Sequence, residues 1–465
     1  MTAIAAPRLP RPRLRRIRPL LFVATSIAIV SGSYLVTALH SQPVRVPTAQ
    51  AVGPDREVVA APGEAPNGGV PGLGAIDHAL KAWTSNLARN DKDFLSATYI
   101  ATLYDARGRL TGDIGDYGRA QAAVAQALAI VPDDATAQVL QARLLQTLHD
   151  FPGALAATQK ILAKDPHVLQ ALATEGDAKL ELGDVDGAAA AFATLQAQAP
   201  GPAVTARLSR LAFIRGDTAA AVSLAQRAWD EAAAGGQTGP GLGWYAYLAG
   251  MTAINTGAPN AALTWFLKAA SVWPDSFLAV AGEARAEAAL GHTDAAIASY
   301  QQAIAIAPQP DSLTALGDLY ALDGDGELAA DQYATVEAIG RLAALNQQVY
   351  NRQLVLFSVN HGRDLSEALR LAQQELAVRK DVYGYDAEAW ALLANGRAAD
   401  ADVAMRKALA FGTRDALLLY HAGEIARAMG NQARAHDLLG QALAISGALD
   451  PLSAARAQAT LEALR

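Results

Sequence analysis

Between Pro274 and Pro308 the chain reads PDSFLAVAGEARAEAALGHTDAAIASYQQAIAIAP, and this stretch decides the fold. Two apolar segments flank Gly291. In the second, Ala296, Tyr300, Ala303 and Ile304 follow one another in steps of four, three and one, which puts them on one helical face. A glycine between the segments and a proline after the second describe a helical hairpin of fixed length. Alanine at fixed points lets two helix backbones approach closely, and the larger side chain fills the groove beside them.

The same cadence extends in both directions. Prolines stand 34 residues apart at Pro132, Pro166 and Pro200, and again at Pro274 and Pro308. Turn residues keep step at Gly115, His149, Gly183 and Gly216, at Gly257, Gly291 and Gly324, and at Gly362, Gly396 and Gly430. An alanine follows most of them five residues later, as at Ala120, Ala154, Ala188, Ala262, Ala401 and Ala435. The step breaks between Gly216 and Gly257 and between Gly324 and Gly362, which predicts longer loops there, the first holding the glycine-rich segment Gly235 to Gly243. Asp133, Asp275 and Asp311 are placed to cap the helices that follow.

These residues resemble the tetratricopeptide repeat family, whose 34-residue unit is a helix–turn–helix. The resemblance spans about Asp93 to Gly447, close to ten units, with Asp450 to Leu464 as a capping helix. Gly108, Gly176, Gly250, Gly317 and Gly423 fit the small position of the first helix, while the large residue near that helix's start is often missing here. The resemblance implies an all-α solenoid, a right-handed superhelix of about ten repeats with a concave inner surface. Stacked pairs share one core, so contacts are expected to run between neighbouring units.

In this family the groove is lined by exposed first-helix positions, and its ligands are extended peptides or helices of other proteins. Carried across by register, those positions are Trp244, Tyr247, Met251 and Asn255, then Tyr383, Asp386 and Trp390, then Tyr420, Glu424 and Arg427, with Arg143, Asp177 and Arg210 earlier. Aromatic residues and arginine are the commonest interface anchors. Aromatics at helical spacing are more often packing, so the stretch GWYAYLAGM, Gly243 to Met251, is weighed as a whole as the contact site.

The segment before the repeats is of another kind. Six arginines lie within the first 18 residues, which form a basic tail and leave -13 on the remainder of a chain whose total is -7. The uncharged stretch Pro19 to Leu39, PLLFVATSIAIVSGSYLVTAL, is long enough as a helix to cross the roughly 30 Å hydrocarbon core of a bilayer. Retention of arginine on the cytoplasmic side makes 19–39 a transmembrane signal anchor, with the N-terminus inside and the repeats exported. A cleaved signal peptide, leaving a secreted protein, is the alternative. Residues 40–75 are a proline- and glycine-rich linker, 76–92 an N-terminal cap helix, 93–449 the array and 450–465 a C-terminal cap helix.

Composition excludes several functions. An acidic body offers no footprint for a phosphate backbone, so no nucleic-acid partner is expected. With no cysteine there is no disulfide, thiolate metal site or thiol nucleophile. No phosphate-loop, hydrolase or zinc-protease motif is present. His421 and Glu424 lie one helical turn apart without a third ligand, and the acidic turn Asp323 to Glu327 lacks the glycine and the final acid of a calcium loop. The expectation is a non-enzymatic scaffold without cofactor or metal, tethered to a membrane and binding a protein or peptide on the extracytoplasmic side. The alternatives are an envelope solute- or glycan-binding module and, behind it, an enzyme with its site inside the superhelix.

Overall fold

The computed structural model describes residues 72–345, 352–445 and 447–464. Within them the chain forms twenty-two helices, with no strand among the described residues. The basic tail, the apolar stretch Pro19 to Leu39 and the linker as far as residue 71 lie outside the described residues. Among those described, no helix is long and apolar enough to cross a membrane.

Helix α1 (Leu73–Arg89) leads into ten hairpins. They are α2 (Phe94–Thr111) with α3 (Ile114–Ile130), α4 (Ala135–Thr147) with α5 (Phe151–Lys164), and α6 (Leu169–Glu181) with α7 (Val185–Gln198). Next come α8 (Pro202–Ile214) with α9 (Thr218–Ala234), α10 (Gly239–Asn255) with α11 (Pro259–Val272), and α12 (Phe277–Ala289) with α13 (Thr293–Ile306). The series ends with α14 (Pro310–Leu322) and α15 (Gly326–Leu345), α16 (Arg352–Asn360) and α17 (Leu365–Val378), α18 (Val382–Ala394) and α19 (Ala398–Leu409), and α20 (Ala416–Ala428) and α21 (Gln432–Ala444). Helix α22 (Pro451–Ala463) follows the last pair.

Five of the hairpins are locked by a glycine on the first helix. Rings of Tyr117, Phe192, Phe266 and Tyr333, and the side chain of Leu439, press against Gly108, Gly176, Gly250, Gly317 and Gly423. A Cβ on Gly317 would stand 2.5 Å from the Tyr333 ring, inside any real contact. The small position of the repeat is therefore a socket for a second-helix side chain.

The turns repeat as well. At the end of α6, Gly183 (φ +84°) donates to Leu180 O and Asp184 donates to Lys179 O, the left-handed closure that favours glycine. Asp184 then caps α7 by accepting from Gly187 N at 2.8 Å.

Several expectations are corrected. In the first unit the left-handed turn residue is Gly112 (φ +73°), while Gly115 lies inside α3. The caps sit one residue later than expected, at Asp134 and Ser276 in place of Asp133 and Asp275, and Asp133 instead pairs with Lys164. Asp311 lies within the first turn of α14, behind Gln309, whose side chain makes no capping bond. The residues added after Gly216 lengthen α9 and α10, to 17 residues each, and not the loop between them. Pro240, in the first turn of α10, pre-sets the helical φ that a glycine-rich segment would not choose unaided. Helix α15 grows likewise, to 20 residues.

His149 occupies a glycine's place, with φ +64°. Its ring stacks on Phe151 at 5.5 Å. Burial, then the charges of Arg379 and Arg352, push its pKa down to about 3. The unfolded chain takes up a proton near pH 6.5 and the folded chain does not, so this group withdraws stability as pH falls below about 6.5. His149→Gly also relieves about 1 kcal/mol of left-handed strain. In urea melts the variant is expected to lose less stability than the parent between about pH 7 and 5. An identical pH slope in the two proteins would contradict this account.

Contacts are not confined to neighbours, which corrects the expectation of an open spring. The α6–α7 turn docks on the loop between α17 and α18, where a Cβ on Gly183 would lie 2.5 Å from Lys380 O. The α8–α9 turn docks on the loop between α19 and α20: Gly216 faces Gly412 O, and Thr413 Oγ1 donates to Ile214 O at 2.6 Å. The loop before α22 lies against α11 and α12, where Gly447 meets Pro259 and Ala289 and Arg285 donates to Ala448 O at 3.1 Å. The first two contacts each join a unit to the segment following the unit five places on, and the third joins the fifth and sixth units to the segment following the tenth, so successive superhelical turns touch.

Candidate functional site

Neighbouring first helices bring ionic groups together along their facing sides. Arg143 of α4 pairs with Asp105 of α2, Arg207 of α8 with Asp177 of α6 at 2.9 Å, and Arg210 with Glu181 at 2.5 Å. Arg143, Asp177 and Arg210 are thus paired within the chain. Where the α6–α7 turn meets the α17–α18 loop, Arg379 reaches Glu181 at 2.6 Å, and Arg352 reaches Glu375 at 2.6 Å and Asp381 at 2.8 Å. Burial alone would raise the Glu181 pKa, but the charges of Arg210 and Arg379 hold it well below the usual carboxylate range.

The C-terminal candidates are consumed by packing. Asp386 Oδ1 accepts from His421 Nδ1 at 2.9 Å, and His421 stacks on Trp390 at 4.1 Å. Trp390 Nε1 donates to Asn360 Oδ1 at 2.8 Å, and Tyr420 is buried at its side, ring centroids 5.7 Å apart. Glu424 pairs with Arg427 at 2.8 Å. His421 is therefore a core histidine, and among the described residues no group of three or more His, Asp or Glu side chains is placed to hold a metal ion. Trp244 is buried too, against Tyr247 at 5.4 Å.

The remaining four candidates converge. Helices α8, α10 and α12 and the start of α14 enclose a cavity of about 260 Å³, whose wall includes Tyr247, Met251 and Asn255 of α10 and Tyr383 of α18. Phe277 and Arg285 of α12 complete it, together with Tyr300 and the Gln309–Pro310–Asp311 corner. Burial pushes Tyr247 up to about 12 and raises Tyr300 and Tyr383 as well, so all three stay neutral phenols. Asp311 stands at the open side of the cavity with part of its surface exposed, while desolvation of its carboxyl by the surrounding wall pushes it up to about 7 against the lowering effect of Arg285. Arg285 donates to Asn255 Oδ1 at 3.0 Å and to Ala448 O, both neutral acceptors. Gln309 is 4% exposed, and neither of its amide atoms has a hydrogen-bond partner among the described residues.

Arg285, Gln309 and Asp311 lie outside the first-helix positions that the repeat register marks. Gln309 and Asp311 flank Pro310 at a helix start, where the sequence reads only as a boundary. A repeated register marks first-helix faces and carries no signal for a corner between units.

Residues 283–310, in α12 and α13 and the start of α14, match the sequence profile of the tetratricopeptide repeat. That match supports the resemblance read from the hairpins. No curated protein matches the chain. Among solved structures, the chain is similar to the APC/C hetero-tetramer Cut9-Hcn1, at 14% identity over 84% of this chain and 93% of that one, with a TM-score of 0.31. It is also similar to the human IFIT1 dimer with PPP-AAAA, at 15% identity over 80% and 87%, with a TM-score of 0.42. PilW, a widely conserved type IV pilus biogenesis factor, is 17% identical over 44% of this chain and 93% of its own, with a TM-score of 0.37.

Proposed function

We propose that the chain is a protein-interaction scaffold anchored in a membrane by Pro19 to Leu39, with its repeats on the extracytoplasmic side and a partner segment held at the mouth of the inner cavity. One observation carries the binding half of this reading. Tyr247, Met251, Asn255 and Tyr383, assigned to partner contact by register, line a single cavity although Tyr383 comes from a unit four places on. The anchoring half is supported by the arginines that precede an uncharged span of bilayer length. No catalytic role is proposed, since each acid–base pair described above serves packing or closure.

A photoreactive residue in place of Met251, introduced into the full-length chain in intact cells, tests both halves. The expected result is one discrete protein adduct, reduced several-fold by Tyr383→Ala, together with loss of the repeats when protease is added to spheroplasts. Repeats protected from protease would overturn the topology, and absence of an adduct at Met251 would overturn the cavity as the partner site. Trp244→Ala is not a suitable probe, because removing a buried indole tests folding first.

A further inference from the structure

The cavity holds charges that the fold leaves unanswered. Arg285 is bonded only to neutral oxygens, and Asp311, which feels the Arg285 charge, is in no ion pair among the described residues. Arg210 also lines the cavity but is paired with Glu181, and elsewhere on the inner surface Arg143 and Arg207 each have a carboxylate partner. A cation and a carboxyl that are each outside any ion pair among the described residues, on the wall of one half-open cavity, call for a ligand bearing both signs. Gln309 adds a second, independent sign: a buried amide without hydrogen bonds costs about 1–3 kcal/mol, which a polar ligand group recovers. The space, about 260 Å³, is several times that of a water molecule and near the small end of ligand pockets. The rest of the wall, with Tyr247, Met251 and Phe277, is apolar or aromatic.

We infer that the cavity binds a small zwitterion of α-amino-acid size, with its carboxylate on Arg285, its ammonium on Asp311 and an apolar side chain along Tyr247, Met251 and Phe277. Gln309 turns its amide to the ligand's polar end. The site is the one assigned above to a partner segment, but a free amino acid needs no partner protein to fill it. The two readings therefore fail separately: a protein adduct at Met251 without amino-acid binding sinks this inference alone.

The test is calorimetry on the full-length protein in detergent, with phenylalanine and leucine as ligands. N-acetylphenylalanine, which lacks the ammonium, and phenylalaninamide, which lacks the carboxylate, serve as blocked analogues. Saturable binding of the free amino acids is expected, weakened at least about tenfold by either block, the scale of one lost charged contact. Asp311→Asn should weaken phenylalanine at least about tenfold and leave N-acetylphenylalanine unchanged, because that contact is already gone. Arg285→Gln should do the same with phenylalaninamide as the indifferent ligand, its fold checked by circular dichroism because Arg285 also holds Ala448. No saturable heat up to about 10 mM ligand, equal affinity for blocked and free amino acids, or indifference to Asp311→Asn overturns the inference.

Discussion

Replacing Arg379 with alanine is expected to destabilise the protein by about 3–5 kcal/mol, the cost of breaking a buried ion pair from one side. Arg379 is 1% exposed and Glu181 2%, and they sit 198 residues apart in sequence. Around them three arginines, Arg210, Arg352 and Arg379, balance three carboxylates, Glu181, Glu375 and Asp381. Removing one arginine leaves the acids in excess in a buried site. The Arg379 guanidinium also lies 5.4 Å from the centre of the Phe151 ring, so its loss empties a packed position.

The effect is expected to be local in a particular way. A repeat array is stabilised unit by unit, but this contact joins two superhelical turns, so breaking it releases one turn from the next and leaves every hairpin formed. Helix content should be nearly unchanged, while amide exchange quickens in the α6–α7 turn and the α17–α18 loop and the radius of gyration in solution rises. A paired replacement, Arg379→Met with Glu181→Met, should recover part of the loss, since two arginines then face two carboxylates, although Arg210 gives up its Glu181 partner. An alanine variant with the parent's urea midpoint and unchanged exchange at Gly183 and Lys380 would show that the turns are held elsewhere.

The hairpins were legible in the sequence because the forces that make them are local. Gly291, Ala296, Tyr300 and Ala303 announce a turn and a helical face within thirteen residues, and the glycine sockets follow the same register. Closure was not legible. It depends on a small rotation at each unit accumulating over five of them, and no single residue carries that sum. Gly183 reads as a turn glycine; nothing local says that its bare backbone must also admit Lys380 O. The same gap explains the site. Register identified the inner faces of the first helices, but neighbouring first helices pack much of those faces against one another, burying Asp386, Tyr420 and Glu424 and leaving Arg210, Tyr247, Met251, Asn255 and Tyr383 around a cavity.

Phe266→Ala is expected to cost about 3–5 kcal/mol, and the way the loss is repaired is more telling than its size. Phe266 is fully buried on α11, its ring pressed against Gly250 of its own hairpin and Gly282 of the next. A Cβ on Gly250 would stand 2.6 Å from Cε1 of that ring, so the two glycines hold a slot between three helices. Within the parent, Gly282→Ala overpacks the slot and should destabilise by about 1–3 kcal/mol, although alanine is by itself the better helix former by about 1 kcal/mol. Once Phe266 is alanine, the added methyl has a void to occupy and the helix preference is no longer opposed, so Gly282→Ala should become neutral or stabilising. The change of sign is a coupling between neighbours, measurable as a double-mutant cycle in urea denaturation. Gly282 also lines the cavity, so a Phe266→Ala protein whose slot stays empty should bind any ligand of that cavity more weakly. Additive effects of the two substitutions would mean that the ring and the glycines are not packed as a unit.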